Sequence, residues 1–277
     1  MQRQKRTAYY LSDRTGITAE TLGHSLLTQF DAVDWNKVSV PFLDSVEKAQ
    51  DLVQQINHTA GLDGQRPMVF STLIDPEVLA VIETADCLLY DFFGAFIGSM
   101  EDELQQKSAH VVGRSHGLQN NSAYFKRIAA INYTLNNDDG ITAKNFADAD
   151  IILIGVSRSG KTPTCLYLAL QYGISAANYP LTEEDMATVQ LPSILQPYRD
   201  KLFGLSLSAG QLYNIRQGRR RNSQYAALAQ CQKEVQWQES MYRKESIPFI
   251  DTTHISIEEI STTILTRSGL RRLLYGQ

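Results

Sequence analysis

Gly155, Val156, Ser157, Arg158, Ser159, Gly160, Lys161 and Thr162 carry the spacing of a phosphate-binding loop. Cradling an oligophosphate requires a strand that ends abruptly, glycines whose backbone can turn close to an anion, and a helix whose first amides point at it. The run Ile151, Ile152, Leu153, Ile154 supplies a buried strand, and Gly155 and Gly160 bracket the turn. Lys161 can reach terminal phosphates, and the Thr162 hydroxyl suits Mg²⁺. Pro163 falls in the first helical turn, where its missing N–H costs little. Arg158 suits either a further phosphate contact or solvent.

The surrounding residues narrow the chemistry. A GTPase would carry Asn-Lys-x-Asp after the loop, and the sequence has none; Asp13 to Gly16 precede the loop. The strand over 202–208 contains no aspartate, and Asp251 comes only at the last strand, so the metal carboxylate stays unassigned. The stretch over 247–253 followed by Ser256 and Glu259 resembles the closing strand, adenine loop and helix of small P-loop kinases. It equally fits an ordinary connection with a capping box. Arg216, Arg219, Arg220 and Arg221 form a basic stretch between predicted helices. Such arginines can close over a phosphoryl donor, or lie on a solvated face.

The elements that must position these groups alternate between strand and helix. Short apolar runs over 7–11, 37–43, 68–74 and 87–90 are separated by helical patterns over 17–30, 45–59 and 76–84, each opened by Ser, Thr or Asp. A polar, Asn-rich stretch over 105–140 holds one helix, over 122–135. A second series follows: strands at 150–154, 174–179, 202–207 and 247–250, and helices over 162–172, 223–245 and from 256. The fold class is therefore α/β: an N-terminal parallel-sheet α/β domain over 1–110, a connecting segment over 111–145, and a P-loop kinase-like α/β domain over 146–277.

Composition sets the outer limits. The 277 residues are 43% hydrophobic and 20% charged, an ordinary globular balance. A net charge of -4 disfavours a nucleic-acid coat protein. Cys87, Cys165 and Cys231 suggest neither disulfides nor a zinc set. The apolar run over 8–11 stops at Ser12 and Asp13, too short for a signal or membrane segment, so no membrane partner and a cytoplasmic location are expected.

With these residues in hand, the whole chain resembles the phosphoenolpyruvate synthase regulatory proteins, relatives of the pyruvate, phosphate dikinase regulatory proteins. The likeness rests on Ser12-Asp13-x-Thr15-Gly16-Ile17-Thr18-Ala19-Glu20, His116-Gly117-Leu118, Asp138-Asp139-Gly140, the P-loop running into Pro163-Thr164, Asn178-Tyr179-Pro180, and Arg219-Arg220 with Ser223 and Tyr225. Asn178-Tyr179-Pro180-Leu181 and Lys201-Leu202-Phe203-Gly204-Leu205 favour the synthase branch over the dikinase branch. Relatives often carry a small residue at Arg14, and some a Cys at Ser159.

The resemblance implies a bifunctional enzyme. One reaction would move the β-phosphoryl group of ADP to a Thr of phosphoenolpyruvate synthase; the other would remove it with inorganic phosphate and release pyrophosphate. ADP, inorganic phosphate and Mg²⁺ are the implied cofactors, and a homodimer is compatible. The expected catalytic groups are Lys161, Asp13, Asp139, Arg219 and Arg220, with Gly155 to Thr162 holding nucleotide and Thr162 the metal. Asp13 suits a proton acceptor or a turn carboxylate, Asp139 has the same two readings, and His116 suits a phosphate contact or a polar surface. An ATP-dependent small-molecule kinase and a non-catalytic nucleotide-sensing module are the alternatives.

Overall fold

The computed structural model describes residues 4–109, 121–138, 143–221 and 223–270. The chain divides into two compact units, Met1–Gly117 and Leu118–Gln277, each an α/β layer structure around a parallel four-stranded sheet.

The first unit runs β1 (Gln4–Leu11), α1 (Ile17–Leu27), β2 (Val33–Val40), α2 (Val46–Asp63), β3 (Met68–Ser71), α3 (Pro76–Ile82), β4 (Leu88–Asp91) and α4 (Gly94–Leu104). The strand order is β2-β1-β3-β4, with Ala8 opposite both Lys37 and Met68. Helices cover both faces, so consecutive residues of β1 from Thr7 to Leu11 are buried: Tyr9 and Leu11 pack with α2 and α3, and Ala8 and Tyr10 with α1. Ser45 and Asp75 cap α2 and α3 through their side chains. The expected side-chain cap of α1 is absent: Gly16, at φ +82°, opens it instead. β2 begins four residues before the predicted 37, because it is an edge strand whose polar Asp34, Asn36 and Lys37 break the apolar pattern.

The second unit runs α5 (Asn121–Asn136), a 3-10 segment (Ala143–Asp148), β5 (Ile151–Val156), α6 (Lys161–Tyr172), β6 (Ala176–Leu181), β7 (Leu202–Ser206), α7 (Ala209–Arg219), α8 (Leu228–Lys244), β8 (Phe249–Asp251) and α9 (Ile257–Ser268). The order β6-β5-β7-β8 places β5 inside the sheet, where Ile152, Leu153 and Ile154 are wholly buried. Pro180 sits in the edge strand β6, where a missing N–H is tolerated.

Three expectations need correction. The helix in the 111–145 segment is a packed element of the second unit: Thr134 Oγ1 donates to Ala176 O at 2.9 Å, and Asn178 N to Asn137 O at 3.1 Å. The helix expected over 223–245 begins only at Leu228, after a 3-10 turn at Gln224–Ala226. The arginines expected between helices lie partly in one, since Arg216 and Arg219 form the last turn of α7.

Candidate nucleotide site

β5 ends at Val156 and α6 begins at Lys161, so the segment between them turns from a central strand into a helix N-terminus. Gly155 has no room for a side chain: an added Cβ would lie 2.6 Å from Leu205 O and 2.8 Å from Ser159 Oγ. Gly160 opens α6 at φ +92°, and Arg158 is also left-handed at φ +78°. Lys161 is only 4% exposed, and its Nζ donates to Val156 O at 2.9 Å, across the mouth of the loop.

Thr162 meets two groups from distant parts of the chain. Its hydroxyl donates to Asp138 Oδ1 at 2.9 Å, and Asn178 Nδ2 donates to Asp138 Oδ1 at 2.6 Å and to Thr162 Oγ1 at 3.1 Å. A carboxylate therefore lies beside the Thr162 hydroxyl, supplied from just after α5 and not from β7. β7 ends in Ser206, whose hydroxyl donates to Glu239 Oε1 at 2.8 Å. Asp251 is engaged locally, accepting Thr253 N at 2.9 Å. These donors fit Mg²⁺, which takes hard oxygens from one or two carboxylates and a hydroxyl and completes its shell with waters and substrate phosphates. Among the described residues no cluster of His, Cys, Asp and Glu forms a separate metal cage.

α8 underpins the loop with buried polar side chains. Val156 N donates to Gln238 Oε1 at 2.9 Å, and Tyr242 donates its hydroxyl to Ile154 O at 3.0 Å. Burial drives the Tyr242 phenol well above its ordinary pKa, so it stays a neutral donor. Burial likewise pushes up the Cys165 thiol on α6, which donates to Ala177 O. The Ser159 hydroxyl is buried without a partner. From the other side Thr252 Oγ1 reaches Ser159 O at 3.4 Å and Ser206 O at 3.0 Å. The loop after β8 thus touches the P-loop, and the capping box of Ser256 and Glu259 is formed as well.

The arginine stretch divides. Arg216 is 1% exposed and gives both terminal nitrogens to Glu234, at 3.0 and 2.5 Å; a solvated face is excluded for it. Arg219 and Arg220 instead line a cavity with Ser157, Arg158 and Tyr225. Asp138, Asn178, Glu234 and Tyr225 have no role assigned from the sequence; Asp138, Asn178 and Tyr225 lie in the motifs quoted above, and Arg216 belongs to the basic stretch noted there.

Asp13 belongs to the first unit, just beyond β1, where its Oδ2 accepts Ile74 N at 3.3 Å. Burial raises its carboxyl pKa, against the lowering effect of that hydrogen bond. Asp139 and His116 lie outside the described residues.

The profile of a family described as kinase/pyrophosphorylase matches residues 8–265. A protein of Nitrosomonas eutropha named "Putative phosphoenolpyruvate synthase regulatory protein" is 57% identical over 272 residues, covering 98% of this chain and 99% of its own length. Proteins with the same name from Marinobacter nauticus and Laribacter hongkongensis are 50% and 51% identical, each over 97% of this chain and at least 98% of their own length. No helix among the described residues is long and apolar enough to cross a membrane. Matched over nearly its whole length, the chain belongs to the kinase/pyrophosphorylase family.

Proposed function

We propose that the chain is a bifunctional regulator of phosphoenolpyruvate synthase. In one direction the β-phosphoryl group of ADP passes to a Thr hydroxyl of the synthase: the bond between the β-phosphorus and the bridging oxygen breaks, AMP leaves, and the Thr proton is released to a base. In the other, inorganic phosphate attacks the phosphothreonine phosphorus, and pyrophosphate and the free Thr result. Both exchanges move one phosphoryl group to or from the same oxygen, so a single anion cradle serves both.

The observation that carries this reading is the P-loop of β5 and α6 with the Asp138 carboxylate 2.9 Å from the Thr162 hydroxyl. Lys161, released from Val156 O, would neutralise charge on the transferring phosphoryl group, and the loop amides would hold the rest of the nucleotide. Thr162 and Asp138 would hold Mg²⁺, with Asn178 keeping the carboxylate in place. When bound, the ion would offset phosphate charge.

The direct test incubates the chain with phosphoenolpyruvate synthase and ADP labelled in the β-phosphate, followed by mass spectrometry of the synthase. The reading requires label on one Thr and AMP as co-product. Label arriving only from the γ-phosphate of ATP, or no label under any donor, overturns it.

A further inference from the structure

Beside the P-loop lies a cavity of about 380 Å³, lined by Ser157, Arg158, Arg219, Arg220 and Tyr225. We propose that it is a second anion subsite, taking a phosphate dianion while a nucleotide occupies the P-loop cradle. This rests on the reading of the cradle as a nucleotide site.

Charge is the first support. Three arginines line the cavity and no Asp or Glu does. The ion pairs of Arg199, Arg216 and Arg243 do not involve them, and Arg158, Arg219 and Arg220 have no carboxylate partner among the described residues. Clustered like charges cost free energy unless an anion satisfies them, and guanidinium forks suit phosphate oxygens.

The second support is that the walls are built. Arg216, itself 1% exposed, donates to Tyr225 O at 2.9 Å and to Ser157 O at 3.1 Å. Its guanidinium also lies 4.0 Å from the centre of the Tyr225 ring. Tyr225 in turn donates its hydroxyl to Ser157 Oγ at 2.9 Å. One buried cation, neutralised by Glu234, therefore fixes two of the five lining residues from behind. Arg158 is held at φ +78°, a left-handed conformation unfavourable for a side-chain-bearing residue and of the kind that collects at functional sites.

The third support is size and position. The volume accommodates a tetrahedral oxyanion with several waters of roughly 30 Å³ each. Because Ser157 and Arg158 belong to the P-loop itself, an anion here adjoins the cradle. The same chemistry suits free inorganic phosphate or a phosphoryl group carried on a larger molecule.

The test is calorimetric titration of inorganic phosphate into the full chain saturated with Mg²⁺ and ADP, at fixed ionic strength, with phenyl phosphate in a parallel arm. Arg219→Gln with Arg220→Gln should weaken phosphate binding roughly tenfold or more, with ADP affinity changed by no more than about twofold. Both residues are exposed, so the fold is expected to survive, and circular dichroism checks it. Phenyl phosphate binding as well as phosphate points to a carried phosphoryl group; binding of phosphate alone points to the free ion. Phosphate affinity untouched by the double change, or ADP affinity falling in step with it, overturns the subsite. A wild-type chain that binds phosphate through these arginines but no ADP leaves the subsite standing and overturns the reading of the cradle.

Discussion

The two units share a plan and differ in what they place on it. Each sheet has its first strand second in order, β2-β1-β3-β4 and β6-β5-β7-β8, so each has a switch point beside the loop that follows that strand. Open parallel sheets bind ligands at such points. In the first unit the polar groups there are turned inward: Asp13 accepts Ile74 N, Ser12 Oγ accepts Arg14 N, Ser71 Oγ accepts Leu73 N, and Thr72 donates to Leu11 O. In the second unit the equivalent loop has a glycine with no space for a Cβ, a buried lysine and the unpartnered Ser159 hydroxyl. Topology locates the place, and loop chemistry decides whether an anion can use it.

The comparison can be broken most severely at Arg216, which holds Ser157 of the second unit's loop through its carbonyl. Arg216→Met should cost about 3–5 kcal/mol, because it strands Glu234 as a buried, unpaired charge. Urea denaturation of the variant, with Arg216→Met/Glu234→Leu as the partner-free control, measures this; a loss below about 1 kcal/mol would mark the pair as incidental.

Next comes Gly155→Ala, whose methyl must displace the Leu205 carbonyl. It should cost roughly 1–3 kcal/mol by overpacking and should lose ADP binding as well. Thermal melts and ADP titration test it together, and retained ADP affinity would show that the turn needs no glycine there.

Thr162→Val and Asp138→Asn should each weaken the dependence of transfer on Mg²⁺ by roughly 10–100-fold in apparent metal affinity while leaving the fold intact. A Mg²⁺ titration of the transfer rate decides this. Unchanged metal dependence in both would assign the ion elsewhere.

These two residues also show what the sequence could convey. The unbroken run Ile151 to Ile154, the loop glycines, the Ser45 cap and the Ser256–Glu259 box are local signals, and the structure forms each of them. Asp138 is set beside Thr162 by the packing of α5, 24 residues earlier in the chain, which no local pattern encodes. α4 and α7 carry Gly94, Gly98, Gly210 and Gly218, so their helical propensity is weak, and α4 buries no residue that would betray an apolar stripe. Arg216 looked like its exposed neighbours because its buried partner, Glu234, lies on the next helix.

The smallest effect sharpens the first unit's side. Burial raises the Asp13 pKa above its unfolded value of about 4, so ionised Asp13 disfavours the folded state at neutral pH, and that penalty vanishes below about pH 4. Asp13→Asn can still accept the Ile74 N–H and should melt at the same or a slightly higher temperature at pH 7, with the gap closing as pH falls. A lower melting temperature at pH 7 contradicts this. If the carboxylate also takes up the Thr proton, the same variant loses transfer by roughly 10²-fold or more. If it only ties the loop, transfer stays within about threefold.

The central claim, that one cradle in the second unit serves both reactions, is tested most directly by Lys161→Met. Methionine preserves the volume of a side chain that is 4% exposed, a better choice than alanine for a lysine this buried. ADP-dependent phosphorylation and phosphate-dependent dephosphorylation of phosphoenolpyruvate synthase should both fall by roughly 10²–10³-fold, in parallel. Loss of one reaction with the other retained would contradict the claim and require two separate sites.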